Sequence, residues 1–158
     1  MKNLTIILSA FLLMVGIGIV PALAQNSRAN DRQIRNLLNR IEQRTNTFKN
    51  QLDTSLDNSS LNNTSSEDYI NSAVSDFENA ADRLKQNYST SSNVNADVRD
   101  VLSKANYIEN VMRDYRFDTR TTNTWRLLRT DLTTLSRYYN VAWNWNNPNI
   151  ISGNNGLT

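Results

Sequence analysis

Apolar residues recur every three or four positions through most of this chain, in four separated runs. The first comprises Ile34, Leu38, Ile41, Thr45, Phe48, Leu52 and Leu56, widened by Leu37. That spacing places one stripe along a helix that buries it in a bundle. Asn30 is the expected N-cap and Asp31 the acid of the first turn. The stripe stops at Asp57. Residues 57–65 are rich in Asn, Ser and Thr, which compete with helix by bonding their own backbone, and they read as the first loop.

The second helix is expected over about 66–88, opened by a capping box at Ser65-x-x-Asp68. Its stripe is Ile70, Ala73, Val74, Phe77, Ala81, Leu84 and Tyr88, ended by the polar stretch 89–93. The third begins near Asn95, with Val98, Val101, Ala105, Ile108, Met112 and Tyr115 in the stripe and Leu102 and Val111 alongside. A connection over 117–123 leads to the fourth helix, which carries Trp125, Leu128, Leu132, Leu135 and Tyr139. Four amphipathic helices joined by short polar loops predict an all-α, up-down-up-down antiparallel four-helix bundle over 25–145. Residues 25–30 read as a polar lead-in and 146–158 as a flexible Asn/Gly-rich tail.

A different pattern precedes these helices. Lys2 is followed by an apolar run over 4–20, and then by Pro21-Ala22-Leu23-Ala24. A basic start, an apolar middle and small residues at −3 and −1 predict a signal peptide over 1–24, cleaved after Ala24. The run is about 17 residues, short of the ~20 that span a bilayer, so no stable membrane anchor is expected after cleavage. The expected location is the periplasm or the extracellular space, with 134 residues left after the 24 are removed from 158.

Composition then limits the chemistry. The chain has no cysteine and no histidine. Disulfides and a lipidated Cys anchor are thereby excluded, soft-metal, haem and Fe–S sites lose nearly all their ligands, and the usual general base near neutral pH is missing. Only an all-oxygen cation site remains, and Asp53 and Asp57 with Asn58, Ser59 and Asn62 are its nearest approach. A serine nucleophile finds no Ser-x-x-Lys motif among Lys49, Lys85 and Lys104. The expectation is therefore no enzyme and no cofactor. The formal charge of +2 falls to +1 without Lys2, which leaves no electrostatic footprint for nucleic acid.

Two groups are candidates for binding. Tyr138, Tyr139, Trp143 and Trp145 lie within eight residues. In an extended segment both Trp rings would face one side, ready to stack on a sugar or peptide; the competing reading folds the segment back over the end of the bundle. Arg113, Arg116 and Arg120, followed by Arg126, Arg129 and Arg137, crowd the second half. They offer an anion-binding face for lipopolysaccharide, phospholipid or another polyanion. Acids at 31, 42, 53, 109, 114, 118 and 131 are interleaved with the arginines, which favours ion pairs between helices.

The phrases Arg35-Asn-Leu-Leu-Asn-Arg-Ile-Glu42, Asp76-Phe-Glu-Asn-Ala-Ala-Asp-Arg-Leu84 and Trp125-Arg-Leu-Leu-Arg-Thr-Asp-Leu132, with Tyr139-Asn-Val-Ala-Trp143, resemble a group of short exported bacterial helical-bundle proteins with no assigned function. These are packing motifs, so the resemblance implies a helical fold and carries over no active site. The sequence-level expectation is a non-catalytic envelope interaction or structural module, a monomer or weak homodimer, whose partner is an envelope protein or polymer. The alternative is a carrier of a small apolar or anionic ligand between the helices.

Overall fold

The computed structural model describes residues 22–90 and 94–146, with side chains from residue 30 onward. Residues 1–21, which hold most of the expected signal peptide, residues 91–93 and residues 147–158 of the expected tail lie outside the described residues. Four helices follow one another: α1 (Ala22–Asp57), α2 (Ser65–Thr90), α3 (Val94–Asp114) and α4 (Thr119–Tyr138). Among the described residues there is no strand, and no helix is long and apolar enough to cross a membrane.

Cross-helix bonds give the packing order. From α1 to α2, Asp31 meets Tyr88, Glu42 meets Lys85 and Lys49 meets Glu78. From α1 to α4, Gln33 meets Tyr138, while Arg40 and Arg44 meet Asp131. From α2 to α3, Asp76 meets Lys104, and Arg83 meets Asp97 and Asp100. In each set the partner's number falls as the first number rises, which is the order of antiparallel neighbours. An up-down-up-down path requires these three pairings.

The four stripes meet in one core. Phe48, Phe77, Leu84, Leu102, Ile108, Leu128 and Leu132 have at most 1% of their surface exposed. Trp125 is its aromatic hub, with ring centroids 5.2 Å from Phe48 and 6.2 Å from Phe77. Ile34, Ala73, Tyr88, Met112, Tyr115 and Tyr139 close the edges, half-buried.

The helix ends differ from the sequence expectation in four places. α1 runs through residues 25–30, so the expected lead-in is helical and the position after Ala24 lies within α1. Asn30 therefore caps nothing, and Asp31 is not a first-turn acid; its carboxylate accepts from Tyr88 Oη at 2.6 Å on α2 and from Arg35 Nε at 3.0 Å. Asn95 lies inside α3 rather than ahead of it. The capping box of α2 sits one residue earlier than Ser65: Thr64 Oγ1 accepts from the Glu67 N–H, and the Glu67 carboxylate accepts from the Asn63 N–H at 2.6 Å. Asn63 supports this turn with φ 61, a left-handed conformation that Asn tolerates.

The expected connection over 117–123 shrinks to four residues, because Asp118 caps α4. Its Oδ1 accepts from the N–H of Arg120 at 2.7 Å and of Thr121 at 3.0 Å, and its Oδ2 accepts from the Thr121 hydroxyl at 2.9 Å. The Thr121 N–H above all holds the Asp118 carboxyl below the ordinary carboxylate range. A depressed folded pKa gives stability that is present above the unfolded value and lost as pH falls through the folded one. Asp118→Ala is expected to cost about 1 kcal/mol near pH 7. Urea unfolding repeated below the depressed pKa, where the carboxyl is protonated in the folded and the unfolded chain, should show most of that difference gone. An undiminished difference there would mean the cap acts through shape and not through its charge.

Candidate functional site

The segment after α4 was the sharpest feature of the sequence, and α4 ends in a way that turns it back. Asn140 takes φ 50, its N–H donates to the Arg137 carbonyl, and the Val141 N–H donates to the Ser136 carbonyl at 2.9 Å. This 6→1 and 5→2 pair is a Schellman stop with Asn in place of Gly, and Val141 supplies its buried apolar contact at 8% exposure. Replacing Asn140 with Gly is expected to stabilise the protein by about 0.5–1 kcal/mol, because Gly enters the left-handed region without a Cβ penalty. A thermal melt that moves downward instead would argue against this stop.

The turn fixes where the tryptophans go. On α4, positions 127, 131 and 138 bond to α1, while Trp125 and Arg129 bond to Glu109 of α3. Trp145 Nε1 donates to Thr133 Oγ1 at 2.9 Å, one turn beyond Arg129 on the α3-facing side. Residues 141–145 therefore lie along the seam between α4 and α3. Trp145 sets its ring edge-on to Trp125, with centroids 6.1 Å apart, and Arg129 stacks over it at 5.0 Å. The Glu109 carboxylate accepts from Trp125 Nε1 at 2.8 Å and pairs with Arg129 at 3.2 Å. Trp125, Glu109, Arg129 and Trp145 thus close a ring of contacts that joins core, two helices and the tail segment.

The two tryptophans do not form a flat platform. Trp143 and Trp145 stand at 89°, with centroids 5.1 Å apart, and both are half-buried against the core. Of the two readings of this segment, the fold-back is the one observed, since the stop at Asn140 reverses the chain where an extended strand was needed. The other sequence candidates are dispersed. Tyr138 is 39% exposed and donates to Gln33 on the α1 side. Tyr139 is packed on the core, and burial raises its hydroxyl pKa.

Arg120 starts α4, about 27 Å along the helix from Tyr138 at 1.5 Å per residue. It shares a surface groove of about 500 Å³ with Arg116 and Asp118, against Thr54 and Asn58 at the end of α1. Arg113 is exposed and bonds to Asn110. The aromatic and arginine candidates therefore do not come together in one site. The residues weighed as a calcium site have other roles: Asn58 Nδ2 donates to the Thr54 carbonyl and Asn62 Nδ2 to that of Asp57, closing the end of α1. Among the described residues no group of three or more acidic side chains could hold a metal ion.

No family model, curated protein or solved structure matches this chain. Its site must be read from its own surface. Arg40, Arg44, Lys49, Arg83, Lys85, Lys104 and Arg129 pair with acids of neighbouring helices, in keeping with the interleaved charge pattern. The outer face of α4 gathers three arginines in one groove. A groove of about 290 Å³ is lined there by Arg126, Arg129 and Arg137, by the threonines at 130, 133 and 134, and by Trp145, with no carboxylate in the lining. Arg126 and Arg137 are exposed, and neither is within ion-pair distance of an acid among the described residues. Their eleven-residue separation returns them to almost the same side of the helix, about 16 Å apart along its axis. Sequence reading placed these arginines in the crowd but could not separate them from their paired neighbours, because pairing depends on which helix lies opposite.

Proposed function

We propose that this chain is exported, loses residues 1–24, and serves outside the cytoplasm as a non-catalytic binding module of the cell envelope. The observation that carries the reading is the groove on the outer face of α4, where three arginines and three threonines meet Trp145 without a carboxylate. Guanidinium forks suit phosphate oxygens, and threonine hydroxyls add donors between them. The ligand is a phosphate-bearing envelope component, either a lipid headgroup or an anionic polymer. Arg129 is held by Glu109 and by its stacking on Trp145, so it shapes the groove, while Arg126 and Arg137 meet the ligand.

The test is co-sedimentation of the mature chain with phosphatidylglycerol vesicles and with phosphatidylcholine vesicles, and retention on an immobilised polyphosphate. Binding to either anionic probe that weakens with salt supports the reading, and which probe binds tells lipid from polymer. Arg126→Gln with Arg137→Gln should weaken it about tenfold, equivalent to roughly 1.4 kcal/mol from two exposed charge contacts. Equal retention of wild type and the double variant would remove the α4 face from consideration. Export is tested separately: the intact mass of protein recovered from the envelope fraction should correspond to a chain starting at Gln25.

A further inference from the structure

A second surface, on the far side of α3, has different chemistry. Tyr69, Ser72, Ala73 and Asp76 recur at i, i+3, i+4 and i+7 on one face of α2, and Lys104 and Tyr107 stand opposite on α3. Together they line a groove of about 250 Å³. The pairing of Asp76 with Lys104 at 3.1 Å sets the register, and the antiparallel order then brings Tyr107 opposite Ala73. A methyl group is all that Ala73 offers there, so the helices leave a depression between the Tyr69 end and the ion pair. Tyr107 and Glu109, two residues apart, point about 200° away from each other, so this groove and the α4 seam occupy opposite flanks of α3.

Both rings are unusually open. Tyr69 is 58% exposed and Tyr107 52%, the highest values among the large apolar side chains described. Tyr88 and Tyr138 commit their hydroxyls to Asp31 and Gln33; those of Tyr69 and Tyr107 meet no described residue. Nothing in the packing of the bundle requires these two rings at the surface.

We infer that the Tyr69–Tyr107 groove is a glycan site that takes one pyranose ring. Charge selects the class of ligand. Asp76 and Lys104 neutralise one another, so a small anion meets the carboxylate and a small cation meets the ammonium. An apolar molecule would strip water from both charges without replacing it. A sugar has what the groove complements: an apolar ring face for the tyrosines, and neighbouring hydroxyls that donate to Asp76 and accept from Lys104 and Ser72. The volume suits a single ring with its neighbours in solvent, which implies weak binding of a longer chain, with Kd on the order of 1 mM for a short oligosaccharide.

Saturation-transfer NMR on the full mature chain tests this, with a trimer of β-1,4-linked N-acetylglucosamine and with maltotriose as probes. Saturation of ring protons in either probe is expected. Tyr69→Ala and Tyr107→Ala should each reduce it about tenfold, as loss of one stacking contact implies, and Asp76→Ala should reduce it as well. Both tyrosines are at the surface, so unchanged circular dichroism will accompany the variants. Two results overturn the inference. One is absence of saturation in both probes. The other is self-association of the wild type that Tyr69→Ala abolishes, which assigns the face to a second copy of the chain. The Arg126/Arg137 variant leaves this signal unchanged, so the two surfaces stand or fall separately.

Discussion

Trp125→Ala is expected to lower the unfolding free energy by about 3–5 kcal/mol, the range for removing a large aromatic from a packed core. The residue is 3% exposed and touches the rings of Phe48 on α1 and Phe77 on α2. Its indole N–H is also the donor that Glu109 accepts from α3. One substitution therefore opens a cavity where three helices face the fourth, and removes a hydrogen bond from a carboxylate that is only 14% exposed. A second effect distinguishes this site from any other large core residue. Trp145 rests on Trp125, so the seam segment loses its inner contact. Acrylamide quenching of the two remaining tryptophans should rise in the folded variant, at urea concentrations well below its midpoint. A loss under about 2 kcal/mol, with quenching unchanged, would show that the seam segment is held without Trp125.

The second large effect belongs to Asp131. Arg40 grips this carboxylate with Nε and Nη2 at 2.8–3.1 Å, and Arg44 adds a further bond while also donating to the Leu127 carbonyl at 3.1 Å. The Asp131 side chain is 5% exposed, whereas Arg40 retains 45% and Arg44 27%. A fully buried pair broken on one side costs about 3–5 kcal/mol, because the survivor is left charged and dry. Here both arginines can turn toward water, so Asp131→Ala is expected to cost about 2 kcal/mol, below that range. The reverse cut should be milder: Arg40→Gln leaves Arg44 in place and is expected to cost about 1 kcal/mol. The Asp131→Ala, Arg40→Gln cycle, measured by urea unfolding, should give a coupling of about 1 kcal/mol. A cycle that sums to zero would mean the two side chains are neighbours without interaction.

Asp131 also marks where sequence reading runs out. The interleaved charges foresaw its ion pair between helices but not its burial: in Trp125-Arg-Leu-Leu-Arg-Thr-Asp-Leu132 it sits one place before a core leucine, and its type suggests an exposed side chain. It is buried because α1 brings two arginines four residues apart to that level, a fact of helix pairing rather than of local pattern. The stripes themselves were legible: the leucines, valines, isoleucines and phenylalanines named for α1 to α4 are all in the core apart from the half-buried Ile34, and the core adds Ala80 and Val141 to the named stripes. Periodicity reports which face is apolar, and four such faces have few ways to meet.

Ends were less legible, because capping is decided by single side chains. Asp118 followed by Thr121 was a readable start for α4, but the surrounding threonines and asparagine resembled loop. Asn140 before the apolar Val141 carried the signature of a Schellman stop, a second reason for folded-back tryptophans beside the exposure argument. The tyrosine groove was hidden for another reason. Tyr69 and Tyr107 are 38 residues apart and become neighbours only through the register that Asp76 and Lys104 set.

That first and last helices are clasped together also sets when the protein can finish folding. Arg40 and Arg44 wait for a carboxylate 91 and 87 residues further along the chain, and the seam is sealed by a tryptophan later still. A polypeptide threaded through a secretion channel from its N-terminus would have α1, α2 and α3 across before these partners emerged. Its core would lack a wall until α4, which begins at Thr119, had followed, because a long-range closure needs both of its partners present. On the export proposed above, the clasp would hold the chain short of its final packing until α4 had followed.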